Sequence, residues 1–246
     1  MRHLLFCLAS VAAFGAAHAA TSADAPIPVA LGWRVSLDAQ GHVTQLQPIP
    51  DERIDRVPVI RKKLEEAIHT WNFMPGIVNG HPQPTDTALF VRAELALTND
   101  RTTRIRIIDA DVGGSIAKSA APRYPGKAIR HHETGEVVLK VSYDAEGKPT
   151  DIEPVPDSPA KSKALIEASV TAVRSWTFQP EVVGGHALAG TSVVPICYTL
   201  NARHPSRQED KCDWKAHGSD RALDNGEALA LNPAAKLLTE VAGRTL

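Results

Sequence analysis

Residues 31–51 read LGWRVSLDAQGHVTQLQPIPD, and residues 137–157 read VVLKVSYDAEGKPTDIEPVPD. Nine of these 21 positions are identical at an offset of 106, where unrelated sequence would share one or two. A second pair follows: residues 67–81, AIHTWNFMPGIVNGH, against residues 172–186, AVRSWTFQPEVVGGH, with seven of 15 identical at an offset of 105. Repetition at a fixed spacing means that one supersecondary unit has been used twice, so both halves are expected to share one fold.

Within each copy the pattern is strand, turn, strand, helix, strand. Val137, Leu139, Val141 and Tyr143 alternate with smaller or polar residues, as do Leu31, Trp33, Val35 and Leu37. That is the period of a half-buried strand. Asp38-Ala39-Gln40-Gly41 and Asp144-Ala145-Glu146-Gly147 are tight turns, in which Asp bonds nearby backbone N–H groups and Gly takes positive φ. Residues 43–49 and 150–155 are second strands; Pro48, Pro50, Pro154 and Pro156 remove donors and suit an edge.

A helix follows in each half. Pro58 opens the first, with Ile60, Leu64, Ala67, Ile68 and Trp71 on its buried stripe and Arg61, Lys62, Lys63, Glu65 and Glu66 on its wet side. Ser158 and Pro159 read as N-cap and first turn of the second, whose stripe is Leu165, Ser169, Ala172 and Trp176. Both end in Trp-x-Phe-x-Pro: Trp71, Phe73 and Pro75, then Trp176, Phe178 and Pro180. Proline stops the helix, and the aromatics pin its end to the sheet. Turns at Gly80-His81 and Gly185-His186 lead to closing strands at 88–97 and 191–200. The expected fold class is α+β: a tandem duplication of a small three-stranded antiparallel sheet packed on one helix, β-β-α-β, with a polar C-terminal tail.

Around this repeat the chain divides as follows. Residues 1–19 read as a signal peptide: Arg2 precedes a short apolar run, and Ala17-His18-Ala19 has the small-x-small form at which cleavage is expected. The competing reading, a short membrane anchor, needs a longer run. Residues 27–109 form the degenerate first repeat and 110–121, small, polar and glycine-bearing, a linker. Residues 122–200 form the second repeat and 201–246 the tail, in which Asn232-Pro233 caps a short helix through Ala234, Leu237, Leu238 and Val241. Thr98-Asn99-Asp100-Arg101 reads as a hairpin turn, with a further strand at 104–108.

Composition excludes several classes. The 246 residues carry 27 Lys+Arg against 28 Asp+Glu, a net charge of -1, which does not suit a protein that coats nucleic acid by bulk charge. With 43% hydrophobic residues the chain is no disordered polymer, and three Cys cannot build a disulfide-dense scaffold. Past residue 19 no stretch approaches 18 apolar residues, so no retained membrane span is expected.

Pro122-Arg123-Tyr124-Pro125-Gly126-Lys127-Ala128, Gly135-Glu136-Val137, the Asp144–Gly147 turn, residues 172–180, Gly185-His186 and residues 194–200 (VPICYTL) occur in that order. Together they resemble the carboxy-terminal domain of TonB energy transducers, strongly over 122–200 and as a degenerate copy over 29–97, which lacks the Tyr-Pro element. The resemblance implies a short helical segment before a small antiparallel sheet packed on one helix. It also implies contact with outer-membrane receptors from the periplasm, partly by strand addition. The departures are the cleaved start and the lack of a long Pro-rich spacer.

Signs of chemistry are few. His131-His132-Glu133 is the one ligand-like cluster, and it reads as a solvated turn. His81 and His186 read as inherited turn residues, and Asp38 and Asp144 as turn formers. Arg101, Arg104 and Arg106 make a local basic patch beside Asp109 and Asp111. No pairing of nucleophile with base and no phosphate loop occurs. The expectation is a non-enzymatic periplasmic interaction protein with no cofactor, no metal and no nucleic-acid partner. Its partner would be an envelope protein, with an outer-membrane receptor peptide as the specific candidate. Thr191, Val193, Val194, Ile196 and Tyr198 of the closing strand would present the edge. The alternatives are a structural tandem domain of an envelope assembly and, less favoured, a hydrolase or metal-binding protein. Cys197 and Cys212 are the cysteines left after cleavage, in a compartment that permits disulfides. They are expected to pair and to fold the tail over the sheet face opposite the helix. The alternative is a buried Cys197 with an exposed Cys212 that pairs between molecules.

Overall fold

A computed structural model of the chain describes residues 26–50, 58–97, 102–200, 211–216 and 222–246. The expected signal peptide and the turn at 98–101 lie outside the described residues.

The first unit contains β1 (Ile27–Leu37), β2 (Val43–Pro48), α1 (Pro58–Ile68), β3 (Phe73–Met74), β4 (Ile77–Val78), β5 (His81–Pro82) and β6 (Thr85–Leu97). It continues through β7 (Thr103–Gly113) and β8 (Ser115–Lys118). The second unit contains α2 (Gly126–Arg130), β9 (Gly135–Tyr143), β10 (Pro149–Pro154), α3 (Lys163–Val173), β11 (Thr177–Gln179), β12 (Val182–Val183), β13 (His186–Ala187) and β14 (Gly190–Tyr198). The tail adds β15 (Lys211–Lys215), β16 (Ala222–Asp224), β17 (Leu229–Ala230) and β18 (Lys236–Leu237).

Antiparallel sheets packed on helices make an α+β fold, but the sheets are wider than three strands. In the first, β6 lies between β1 on one side and both β7 and the β12–β13 hairpin on the other, with β2 outside β1. In the second the order is β10-β9-β14-β17. The extra strands are β7, the β12–β13 hairpin contributed by the second unit, and β17 from the tail.

Each sheet buries one face against its helix. Leu31, Trp33, Val35 and Leu37 meet Ile60, Leu64 and Ile68, with Trp71 and Phe73 closing the end. Val137, Leu139, Val141 and Tyr143 meet Leu165 and Val173, with Trp176 and Phe178 in the same place. On α1, Arg61 and Glu65 are less wet than their charges suggest. The Trp33 indole N–H donates to Glu65 Oε1 at 3.0 Å, and the Arg61 guanidinium lies 5.7 Å from the Trp33 ring centre.

Three expectations about local structure change. Most of residues 110–118, expected within a linker, lie in strands: β7 runs to Gly113, and β8 pairs with β11. Glycine and small residues there mark close packing rather than freedom, since a Cβ on Gly114 would lie 2.0 Å from the Tyr143 hydroxyl. Ser158 does not cap the second helix; its Oγ accepts the Val138 N–H at 3.0 Å. Ser162 is the N-cap, and α3 begins at Lys163. Residues 232–241 form no helix, because β18 pairs with β3 and residues beyond it bond to β7.

The tail straps both units. Trp214 and Leu223 cover Val138 and Val193 on the face of the second sheet opposite α3, and Cys212 beside them is buried. Ala235 and Val241 enter the core of the first unit. The final residues pair with β7, Ile107 N donating to Arg244 O and Ile105 N to Leu246 O.

Candidate functional site

The site begins with β14, the strand that presents a sheet edge. Its alternation sends Val194, Ile196 and Tyr198 into the helix-side core and Val193 to the opposite face. All four side chains are buried, and Thr191 is half-buried. These residues hold the strand in place, so what β14 can offer a partner is its backbone. The Tyr198 hydroxyl lies 2.9 Å from Ser169 Oγ, and burial raises its pKa. Tyr124 packs edge-on against Tyr198, with ring centres 5.1 Å apart, and donates to the Glu133 carbonyl. Pro125 sets the N-cap of α2. The Tyr-Pro element therefore braces the far end of β14.

The other motif residues are structural. Gly147, at φ 78°, lies against the Phe178 backbone, and Gly41 stands in the same relation to Phe73. Pro75 is buried and Pro180 half-buried; Gly80 and Gly185 sit at exposed hairpin tips.

One side of β14 is filled by β9 from Gly190 to Tyr198. The other side does not stand open, as the sequence reading supposed. Ser192 faces Ala230 and Val193 faces Leu229 of β17. Leu231 N donates to Thr191 O at 2.9 Å, and Gly226 N to Pro195 O at 2.8 Å. Cys197 N donates to Asn225 Oδ1 at 3.1 Å, and Cys197 is disulfide-bonded to Cys212 with Cα atoms 5.9 Å apart. The physical reason is proximity. The tail leaves β14 directly, and the disulfide returns it to the same edge.

Two polar clusters anchor this strap. Glu181, only 7% exposed, accepts from Thr87 Oγ1 at 2.8 Å, Ala234 N at 2.6 Å and Ala235 N at 3.2 Å. One carboxylate thus joins the first unit, the second unit and the tail. Arg92 of β6, with its side chain 13% exposed, reaches Asp109 at 2.5 Å, Glu227 at 2.5 Å, and Asp111. Sequence reasoning passed over both. The available signal was a difference between the repeats: Glu181 stands where the first copy has Gly76, a position at which Val183 leaves no room for a side chain.

The candidates for chemistry stay apart. Glu133 turns to Ser162 Oγ while His131 and His132 are exposed. Asp38 accepts from Gln40 N and His42 N, and Asp144 from Glu146 N and Lys148 N, each within its own turn. Arg104 is exposed, and Arg106 pairs with Glu94 at 2.9 Å. Among the described residues no group of three or more His, Cys, Asp or Glu could hold a metal ion, and no helix is long and apolar enough to cross a membrane.

Residues 120–200, which end in this strand, match the family described as Gram-negative bacterial TonB protein C-terminal. Over these residues the second unit is similar to that family. Its relatives include "Protein TonB" of Xanthomonas campestris pv. campestris, 33% identical over 96 residues, covering 37% of this chain and 42% of that protein. "Protein tonB2" of Pseudomonas aeruginosa is 41% identical over 81 residues, covering 33% of this chain and 29% of that protein. The chain spans less than half the length of these curated relatives. In the second unit, the elements outside the matched region are those that close the edge of β14.

Proposed function

We propose that the chain is a non-enzymatic, periplasmic protein-interaction protein whose partner is an envelope protein, with an extended segment of an outer-membrane receptor added as a strand to β14. The single observation that carries this reading is the match of residues 120–200 to the TonB C-terminal family, coincident with a strand that accepts a further strand on its outer side. Strand addition draws affinity from the backbone and selection from alternate side chains. Residues 1–19 act as a cleaved signal peptide in this reading. Residues 27–109 and 122–200 are duplicated copies of one unit, and both elements and turn bonds support this. Phe73 N donates to Gly41 O as Phe178 N donates to Gly147 O, and Ile49 N to Gly32 O as Val155 N to Val138 O.

The test is a titration of the exported protein with synthetic periplasm-facing segments of outer-membrane receptors, followed by amide shifts. Shifts at Thr191, Val193 and the 226–231 segment are expected. Shifts confined to other surfaces, or none with any such peptide, would contradict the reading. A second reading, a structural tandem domain of an envelope assembly without a transport role, is favoured by one observation: the tail already fills the edge of β14.

A further inference from the structure

The segment on β14 shows what that edge accepts. Leu229 lies in register with Val193 and packs against the cluster formed by Val138, Val193, Trp214 and Leu223. That position calls for a large apolar side chain. Ala230 is held to a small one: a Cβ added to Gly113 at the end of β7 would lie 2.4 Å from the Ala230 Cβ, so two backbones meet there with one methyl between them. Two residues before Leu229, Glu227 reaches Arg92 of the first unit at 2.5 Å, and its other oxygen accepts the Asp224 N–H at 2.9 Å. The groove is therefore composite. β14 supplies the backbone, Gly113 and Arg92 of the first unit supply two selective positions, and the core of the second unit receives Ala228.

We propose that the outer edge of β14, together with Arg92 and Gly113, is a binding site for extended peptides of the form carboxylate–small apolar–large apolar–small, and that Glu227-Ala228-Leu229-Ala230 occupies it in cis as a built-in competitor. The proposal rests on the reading that this domain takes up strands, and adds the ligand's chemistry and the means by which the site is kept closed. It also gives the first unit a part in recognition. A free peptide must displace the tail, so its apparent affinity falls by the fraction of time the edge is open.

The probe is a synthetic peptide of residues 225–232, Asn-Gly-Glu-Ala-Leu-Ala-Leu-Asn, labelled for fluorescence anisotropy. The receivers are the full exported chain and its Glu227→Lys/Leu229→Asp double variant, in which the competitor is weakened and the groove is untouched. Glu227→Gln, which keeps every side chain close to its natural size, serves as a milder opening should the double variant fail to fold. Binding to the opened chain is expected to be at least about tenfold tighter than to the natural one, with amide shifts at Ser192 and Val193. Peptides carrying Gln for Glu227, Asp for Leu229 or Leu for Ala230 are expected to lose binding, and Arg92→Ala in the opened chain to erase the advantage of the Glu227 carboxylate. No binding to either opened chain overturns the proposal, as does equal binding of the Leu-for-Ala peptide. Binding of the tail peptide with failure of every receptor segment would remove the receptor reading and leave this site standing. Receptor segments that bind at β14 while the tail peptide fails would do the reverse.

Discussion

Gly41 and Gly147 each sit at positive φ, 85° and 78°, and a Cβ at either would come within about 2 Å of a carbonyl oxygen, that of Phe73 and that of Phe178. The Asp-x-x-Gly turn is legible in sequence as a turn, but its second role, receiving the chain that leaves the helix, is not. That role depends on contact between residues more than 30 positions apart. Gly147→Ala is therefore expected to cost roughly 2 kcal/mol or more, beyond the ordinary penalty of a left-handed conformation, as read by denaturant unfolding. Asp38, in the same turn, has its pKa lowered chiefly by the His42 backbone N–H. A carboxylate with a depressed native pKa stabilises above its unfolded pKa of about 3.9 and loses that contribution as pH falls through the native value. Asp38→Asn should flatten the fall of stability below about pH 4; an unchanged slope in acid titration would contradict this. Glu181→Ala strands three donors of two segments, two of them backbone N–H groups. A loss of about 2–3 kcal/mol is expected from a charged acceptor that is this buried.

Trp71 and Trp176 close equivalent helix ends and are 2% and 5% exposed. Replacement of either by Ala is expected to cost roughly 3–5 kcal/mol, and near-equal values would follow from their matching places. Strand alternation and the two Trp-x-Phe-x-Pro segments made these elements readable, because local period and core burial agree there. β8 and β17 were not readable. Each is short and rich in small residues, and each is a strand only because a partner strand lies beside it. The same holds for the reading of residues 232–241 as a helix: Ala234, Leu237 and Val241 have helical spacing, but Leu237 pairs with Phe73 and Val241 fills the first core. The Cys197–Cys212 bond closes a separation of 15 residues and should contribute about 3 kcal/mol by the loop-entropy estimate. Cys212→Ala, compared with the oxidised parent in denaturant, checks this.

At the scale of the whole molecule, the two units are joined by the β12–β13 hairpin on β6, by Glu181 and by a tail that pairs in turn with β14, β3 and β7. The hairpins make a contrast: Val183 is buried at this junction, whereas Ile77 and Val78, in the equivalent β4, are exposed. The repeat is visible in sequence; the asymmetry is not, since it arises from Gly76 in one copy and Glu181 in the other and from a tail with no counterpart. This tail closes the edge of β14. Hydrogen exchange of the protein, resolved to single amides, tests it most directly. The Leu231 and Gly226 amides, which donate to Thr191 and Pro195, should exchange as slowly as those of the β9–β14 ladder. Free exchange at Leu231 and Gly226, with the β9–β14 ladder still protected, would show an open edge and contradict the account.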